Sequence, residues 1–264
     1  MKPDYKNWMP KGMVLGMLAA AVVCLALTIM FGCTGLLPAG GLKTVLTVAA
    51  GLAAAVCIVA TVWMAALYRA FSYRGRRPLS RQIIEGLAAY VSIPDGGVGL
   101  DVVGCGSGAL TIACAKRNPQ GRFLGVDRWG KEYASFSKTL CEENARAEGV
   151  DNTQFRQGNA VKLDFPDESF DAVVSNYVYH NIPSSDRQAI LMETLRVVKP
   201  GGIFALHDIF SKAKYGDMAQ FTQKLRTLGY AHVELINTAD GTFMTSREAT
   251  WMGLAGSALL VGRK

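Results

Sequence analysis

Apolar positions fall along this chain in two regimes. Between Lys11 and Lys43 lie 31 residues without a charged side chain, including MVLGMLAAAVVCLALTIMFG, and between Lys43 and Arg69 lie 25 more. A hydrocarbon core about 30 Å thick needs roughly 20 helical residues to cross, so the runs predict transmembrane helices over about 12–36 and about 44–68. The first run is longer than the ~7–15 apolar residues of a cleaved signal peptide, and a second run follows at once. A helical hairpin is therefore expected, with Gly35, Pro38, Gly40 and Gly41 in the turn. The many Gly and Ala residues suit two helices packed closely in lipid.

From about residue 80 short apolar runs alternate with amphipathic ones. SRQIIEGLAAYV predicts a first helix with Ile83, Ile84, Leu87 and Val91 on one face. VGLDVVG reads as a buried strand, GALTIACAKRN as a helix, RFLGVD as a strand and KEYASFSKTLCEENARAEG as a long helix. TQFRQG and FDAVVSN are strands, SDRQAILMETLRVV a helix ended by Lys-Pro-Gly-Gly, and IFALHDI a further strand. AQFTQKLRTLG, AHVELIN and GSALLVG add one helix and two strands, the last two expected as an antiparallel pair at one edge. Such alternation predicts a doubly wound α/β fold: a mostly parallel, seven-stranded, Rossmann-like sheet that binds ligands at the carboxyl ends of its strands.

Composition sharpens the division. With 50% hydrophobic and 19% charged residues the chain is not a disordered one. The formal net charge of +7 is unevenly placed: residues 1–81 hold nine bases and one acid, the other 183 residues 19 bases and 20 acids. The α/β part thus lacks the basic excess of a nucleic-acid binder. Lys2, Lys6 and Lys11 precede the first run, and Arg69, Arg74, Arg76, Arg77 and Arg81 follow the second, whereas the turn has only Lys43. That bias predicts a multi-pass protein of the cell membrane with both termini cytoplasmic. The expected parts are an anchor over 1–70, a basic linker over 71–82 and a catalytic domain over 83–264. The six cysteines, at 24, 33, 57, 105, 114 and 141, show no CxxC spacing and no cluster with the three histidines. Neither a metal site nor a disulfide framework is expected.

The chemistry begins where the first strand meets its helix, in Asp101-Val-Val-Gly104-Cys105-Gly106-Ser-Gly108-Ala109. Glycines there let the backbone turn tightly, and the following helix presents free N–H groups to a ligand. Gly104, Gly106 and Ala109 also satisfy the dinucleotide pattern GxGxxG/A, so an NAD-type oxidoreductase stays open at this point. Asp127, ending the second strand, does not decide, because an acid there binds ribose hydroxyls in either case.

The wider constellation does discriminate. LDVVGCGSGAL resembles the first motif of class I S-adenosylmethionine-dependent methyltransferases, including the acid three residues before the first glycine. VDRWG resembles the second motif, GNAVKLDFPDESFDAVVSN the third and fourth, and LRVVKPGGIFALHD the segment around the fifth strand. Together they run in family order from about 97 to 208. The resemblance implies that Gly104, Cys105 and Gly106 hold the methionine part of S-adenosylmethionine, with Asp101 supporting its ammonium. It implies that Asp127 accepts the ribose hydroxyls, that Arg128 and Trp129 lie beside adenine, and that Asn159-Ala160 reaches the adenine amino group. Asn176 would lie near the transferred methyl group, and Asp171, at the other end of the same strand, would be structural.

Methyl transfer leaves the protein to align the acceptor, exclude water and, for a protonated acceptor, take a proton. Tyr177, Tyr179, His180, His207 and Asp208 fall at strand ends on the expected side. His180 is the leading base, since its ordinary pKa suits proton removal near neutrality. Tyr177 and Tyr179 are candidates for lining the pocket or assisting. The tether implies a small, hydrophobic or lipid-like acceptor drawn from the bilayer, with S-adenosylhomocysteine as the other product. A non-catalytic cofactor-binding membrane module is the remaining alternative.

Overall fold

The computed structural model describes residues 2–102, 104–130 and 135–264, which fall into two units: residues 7–80, and residues up to 6 together with 81–264. The first unit is a pair of helices, α1 (Lys11–Cys33) and α2 (Gly41–Ala70). They run antiparallel, Gly32 lying beside Thr47 and Gly51 beside Thr28; a side chain at Gly32 would come within 3.0 Å of Thr47. Leu15, Val22, Leu52 and Val59 stand exposed on the outer faces. Thr28, Thr47 and Thr61 donate their hydroxyls to carbonyls one turn back, at 2.8, 2.8 and 2.7 Å. Polar groups satisfied within their own helix suit a segment that has no water around it. Both helices are long and apolar enough to cross a membrane.

The second unit is built on seven strands: β1 (Val98–Asp101), β2 (Arg122–Asp127), β3 (Thr153–Gln157), β4 (Phe170–Asn176), β5 (Val198–Ile209), β6 (Ala231–Asn237) and β7 (Ser257–Arg263). Their order across the sheet is β3-β2-β1-β4-β5-β7-β6. β7 runs antiparallel to both its neighbours, so the expected antiparallel pair exists, but β7 is inserted inside the sheet and β6 forms the edge. The inner strands carry continuous apolar runs because helices cover both faces. Leu100, Val173, Phe204 and Leu206 are completely buried.

The helices follow the predicted positions: α3 (Leu79–Ala88), α4 (Ala109–Arg117), α5 (Lys138–Ala147), α6 (Arg187–Arg196) and α8 (Met218–Thr227), with a one-turn α7 (Lys212–Tyr215) before α8. Helix α5 is shorter than expected, because the hydroxyl of Ser137 accepts from Leu140 N–H at 3.1 Å and sets its start. Lys131–Ala134, which the sequence placed in that helix, lie outside the described residues. Helix α9 (Ser246–Met252), between β6 and β7, was not anticipated. Its signal was present: Thr245 and Glu248 form a reciprocal capping box.

Candidate functional site

Parallel pairing brings the carboxyl ends of β1, β2, β4 and β5 to one edge of the sheet. Asp101 is level with Val174 of β4 and Gly125 of β2, and Asn176 is level with His207 of β5. Two halves of a site result, one at the β1–β2 ends and one at the β4–β5 ends.

In the first half the glycine loop turns between β1 and α4. Gly104 has φ +128, and a Cβ there would lie 2.3 Å from the Val178 side chain, so only glycine fits. The loop is held from β2: Gly106 N–H donates to Asp127 Oδ2 at 2.8 Å, and Trp129 N–H to Asp127 Oδ1 at 2.8 Å. Each carboxylate oxygen keeps a further acceptor site for a hydroxyl pair. The Trp129 indole donates to Gly106 carbonyl at 3.2 Å and is half-buried, so the ring rests on the loop. Its φ of +42 is left-handed, an arrangement aromatic residues adopt only where the surroundings impose it. Arg128 is exposed and its carbonyl accepts from Gln157 at 3.0 Å.

Beneath the loop Asp101 is buried and accepts a 2.7 Å hydrogen bond from Thr111. Burial pushes its pKa up to about 7; the Thr111 bond opposes this and the nearby Asp127 charge adds to it. A buried acid near its titration point suits an ammonium group, which would stabilise the anion. Cys105 is also buried, its thiol pushed up by loss of solvent. Asn159 is exposed, its Oδ1 accepting from Val161 N–H at 3.0 Å, while Ala160 is packed into the core. Asn159 therefore serves a local turn here, with its amide at the surface.

The second half centres on Asp208. This fully buried carboxylate accepts His180 Nδ1–H at 2.6 Å, His180 backbone N–H at 3.2 Å and Ile209 N–H at 2.6 Å. The pairing assigns the proton to Nδ1 and leaves Nε2 as the basic nitrogen of a ring that is 16% exposed. His207 is different. Its ring is buried, with Nδ1 at 2.7 Å from Asn176 Oδ1 and Nε2 at 2.8 Å from the Thr238 hydroxyl. Burial lowers its pKa to about 3, against the pull of Asp208, so it is a neutral structural ring that orients Asn176.

The tyrosines divide as well. Tyr177, at φ +54, shares a 2.8 Å hydrogen bond with Ser257 and places its ring 4.6 Å from His207 and 6.1 Å from His180. Burial pushes its hydroxyl far above the ordinary range, so it remains protonated. Tyr179 is completely buried and its hydroxyl pairs with Thr194 at 3.0 Å. It belongs to the core and not to the pocket wall, whereas His180 and Asn181 in the same short helical turn over Tyr179–Asn181 stay partly or fully exposed. Asp171 sits at the opposite end of β4, binding Val98 N–H at 2.8 Å and Lys199 at 2.9 Å. The site residue that sequence reasoning undervalued is Asp208, whose partnership with His180 spans 28 positions. Among the described residues no group of His, Cys, Asp and Glu is arranged to hold a metal.

A sequence profile described as a methyltransferase domain matches residues 100–206. The demethylmenaquinone methyltransferase of Geobacillus stearothermophilus is 37% identical over 114 residues, 43% of this chain and 45% of that one. An uncharacterized methyltransferase of Schizosaccharomyces pombe is 38% identical over 101 residues, 38% of this chain and 36% of that one. The chain thus spans less than half the length of these curated relatives. Among solved structures, the [4+2]-cyclase SpnF covers 73% of this chain and 85% of its own, with TM-score 0.54 at 19% identity. The YcgJ protein of Bacillus subtilis covers 69% and 98%, with TM-score 0.50 at 21% identity. Those two likenesses establish the fold; a cyclase among them illustrates that activity has to be argued from the site. On its matched motifs and its seven-stranded sheet, this chain carries a methyltransferase domain over residues 100–206 and resembles the class I S-adenosylmethionine-dependent methyltransferases.

Proposed function

We propose that this protein is a membrane-anchored methyltransferase that moves a methyl group from S-adenosylmethionine to a small hydrophobic acceptor dissolved in the bilayer. The observation that carries the reading is the adjacency of a loop that only glycine can form with a His180–Asp208 pair on the next strands. The residues fit the cofactor by their chemistry. Asp101 supplies a buried carboxylate for an ammonium, Asp127 a carboxylate for a diol, and Gly104 an opening that any Cβ would close. When bound, S-adenosylmethionine supplies an activated methyl group on sulfur.

The chain's own residues do the rest. Asp208 holds His180 in the tautomer with Nδ1 protonated, and Nε2 takes the proton of an acceptor hydroxyl, thiol or amine as it reacts. Tyr177, anchored by Ser257, and Asn176, anchored by His207, wall the space beside it. The apolar hairpin supports an acceptor that partitions into lipid, in keeping with relatives named for a quinone, demethylmenaquinone. The flanking bases support a cytoplasmic catalytic unit and an anchor formed by the hairpin within residues 7–80, its second helix followed by the basic stretch 71–82.

The test is incubation of the full-length protein in lipid nanodiscs with methyl-labelled S-adenosylmethionine and a membrane lipid extract. Label in the organic phase, lost in His180→Ala, is the expected result. Label confined to water-soluble products would overturn the choice of acceptor, and no transfer with intact cofactor binding would overturn the enzymatic reading.

A further inference from the structure

The first residues of the chain belong to the methyltransferase unit, although residues 7–80 separate them from the rest of it. A free N-terminal tail would be solvated. Here Tyr5 is only 5% exposed. The backbone of Asp4 is clasped by one side chain on α5: Asp4 N–H donates to Asn144 Oδ1 at 2.6 Å, and Asn144 Nδ2 donates to Asp4 carbonyl at 3.0 Å. The same Nδ2 donates to Ser107 carbonyl at 2.9 Å, and Ser107 hydroxyl returns a 2.8 Å bond to Tyr5 carbonyl. Tyr5 hydroxyl donates to Glu148 at 3.2 Å, and Glu148 also pairs with Lys116 of α4. Asn144 and Ser107 are themselves buried.

Ser107 is a member of the glycine loop, next to Gly106, whose N–H is held by Asp127 and whose carbonyl receives Trp129 and the Cys141 thiol. The strap and the cofactor-facing side of the loop are therefore joined through the peptide between Gly106 and Ser107, with hydrogen bonds holding the chain on either side of it. Removing the strap would leave the buried Ser107 hydroxyl and Asn144 Oδ1 without their partners on it, and the loop would have to be ordered at the expense of ligand binding.

We propose that Asp4 and Tyr5 are positioning residues of the cofactor site, a strap that pre-forms the glycine loop for S-adenosylmethionine. This rests on the reading of that loop as the cofactor site. The strap also alters the view of the tether. The apolar hairpin is, in chain order, an insertion between residues 6 and 81 of the methyltransferase unit. A truncation beginning at residue 1 would remove part of the cofactor site together with the anchor.

The experiment uses the full chain in nanodiscs and measures S-adenosylhomocysteine affinity by calorimetry, kcat and KM for S-adenosylmethionine, and the unfolding temperature without ligand. Tyr5→Ala should raise the dissociation constant and KM about tenfold with kcat nearly unchanged, the signature of lost pre-organisation. Tyr5→Phe, which keeps the buried ring and the backbone bonds, should restore affinity to within about twofold. Asp4→Pro, which deletes the N–H given to Asn144 together with the carboxylate that accepts from Lys6, should give an intermediate loss. Should Tyr5→Ala fail to fold, Asp4→Pro and hydrogen exchange at the loop amides of the wild type carry the same decision. Unchanged affinity in folded Tyr5→Ala or Asp4→Pro, with only a lower unfolding temperature, would overturn the proposal. Absence of S-adenosylhomocysteine binding by the wild type would overturn the cofactor reading instead.

Discussion

Asp101 gives the cofactor site a pH dependence of its own. Its carboxyl is fully buried, and burial pushes the pKa from the usual range up to about 7, with the Thr111 bond opposing and the Asp127 charge assisting. In the unfolded chain the group titrates near 4, so the folded protein holds the extra proton between about pH 4 and pH 7. Stability from this group is complete below pH 4 and is lost as pH rises through 7, by about 4 kcal/mol at most on an order-of-magnitude conversion. Ligand binding has the opposite sign. An ammonium favours the ionised carboxylate, so S-adenosylhomocysteine binding strengthens as Asp101 loses its proton. With a pKa of about 7, only about a tenth of the sites are ionised at pH 6 and about three-quarters at pH 7.5, which gives roughly an eightfold change in dissociation constant. Calorimetry in buffers of different ionisation enthalpy should detect about half a proton released per ligand at pH 7. Asp101→Asn should bind more weakly and with no proton release. Equal affinities at pH 6 and 7.5, or proton release retained in Asp101→Asn, would refute the argument.

Other perturbations read different parts of the site. Gly104→Ala places a Cβ against Val178 in a left-handed backbone; it should abolish measurable S-adenosylhomocysteine binding while lowering stability by about 1–3 kcal/mol, checked by calorimetry and thermal unfolding. Asp127→Ala frees the Gly106 and Trp129 N–H groups and removes the diol acceptor, so cofactor affinity should fall by about 2–3 kcal/mol in a direct titration. His180→Ala should reduce kcat by about 10²–10³-fold with cofactor affinity unchanged in calorimetry, provided the acceptor carries a proton that must leave. Asp208→Asn should lower kcat in the same assay and also destabilise the fold, since the two buried oxygens accept from three N–H groups.

The local parts of this protein were determined by its sequence. Two uncharged runs longer than a bilayer requires could only be apolar helices, and the alternation of short strands with amphipathic helices set a covered parallel sheet. The glycine loop was legible because Gly104 has a local cause, a backbone angle that residues with a Cβ rarely adopt, and Asp127 because it ends a strand. Even the overlooked α9 had its capping box in view at Thr245 and Glu248. Tertiary structure alone decided which of several polar residues near strand ends face the site. Tyr177 and Tyr179 are two residues apart, yet one borders His180 and the other disappears against Thr194. His180 and His207 are both bonded histidines; only His180 pairs with a buried carboxylate and keeps part of its ring exposed, because β5 runs alongside β4 and brings Asp208 to it. The docking of Asp4 and Tyr5 is the extreme case, since Asn144 lies 140 positions away from its partner. Hydrogen bonds between such distant residues leave no periodicity in the chain: they depend on where the packed sheet places each donor and acceptor, and that placement is a property of the whole core.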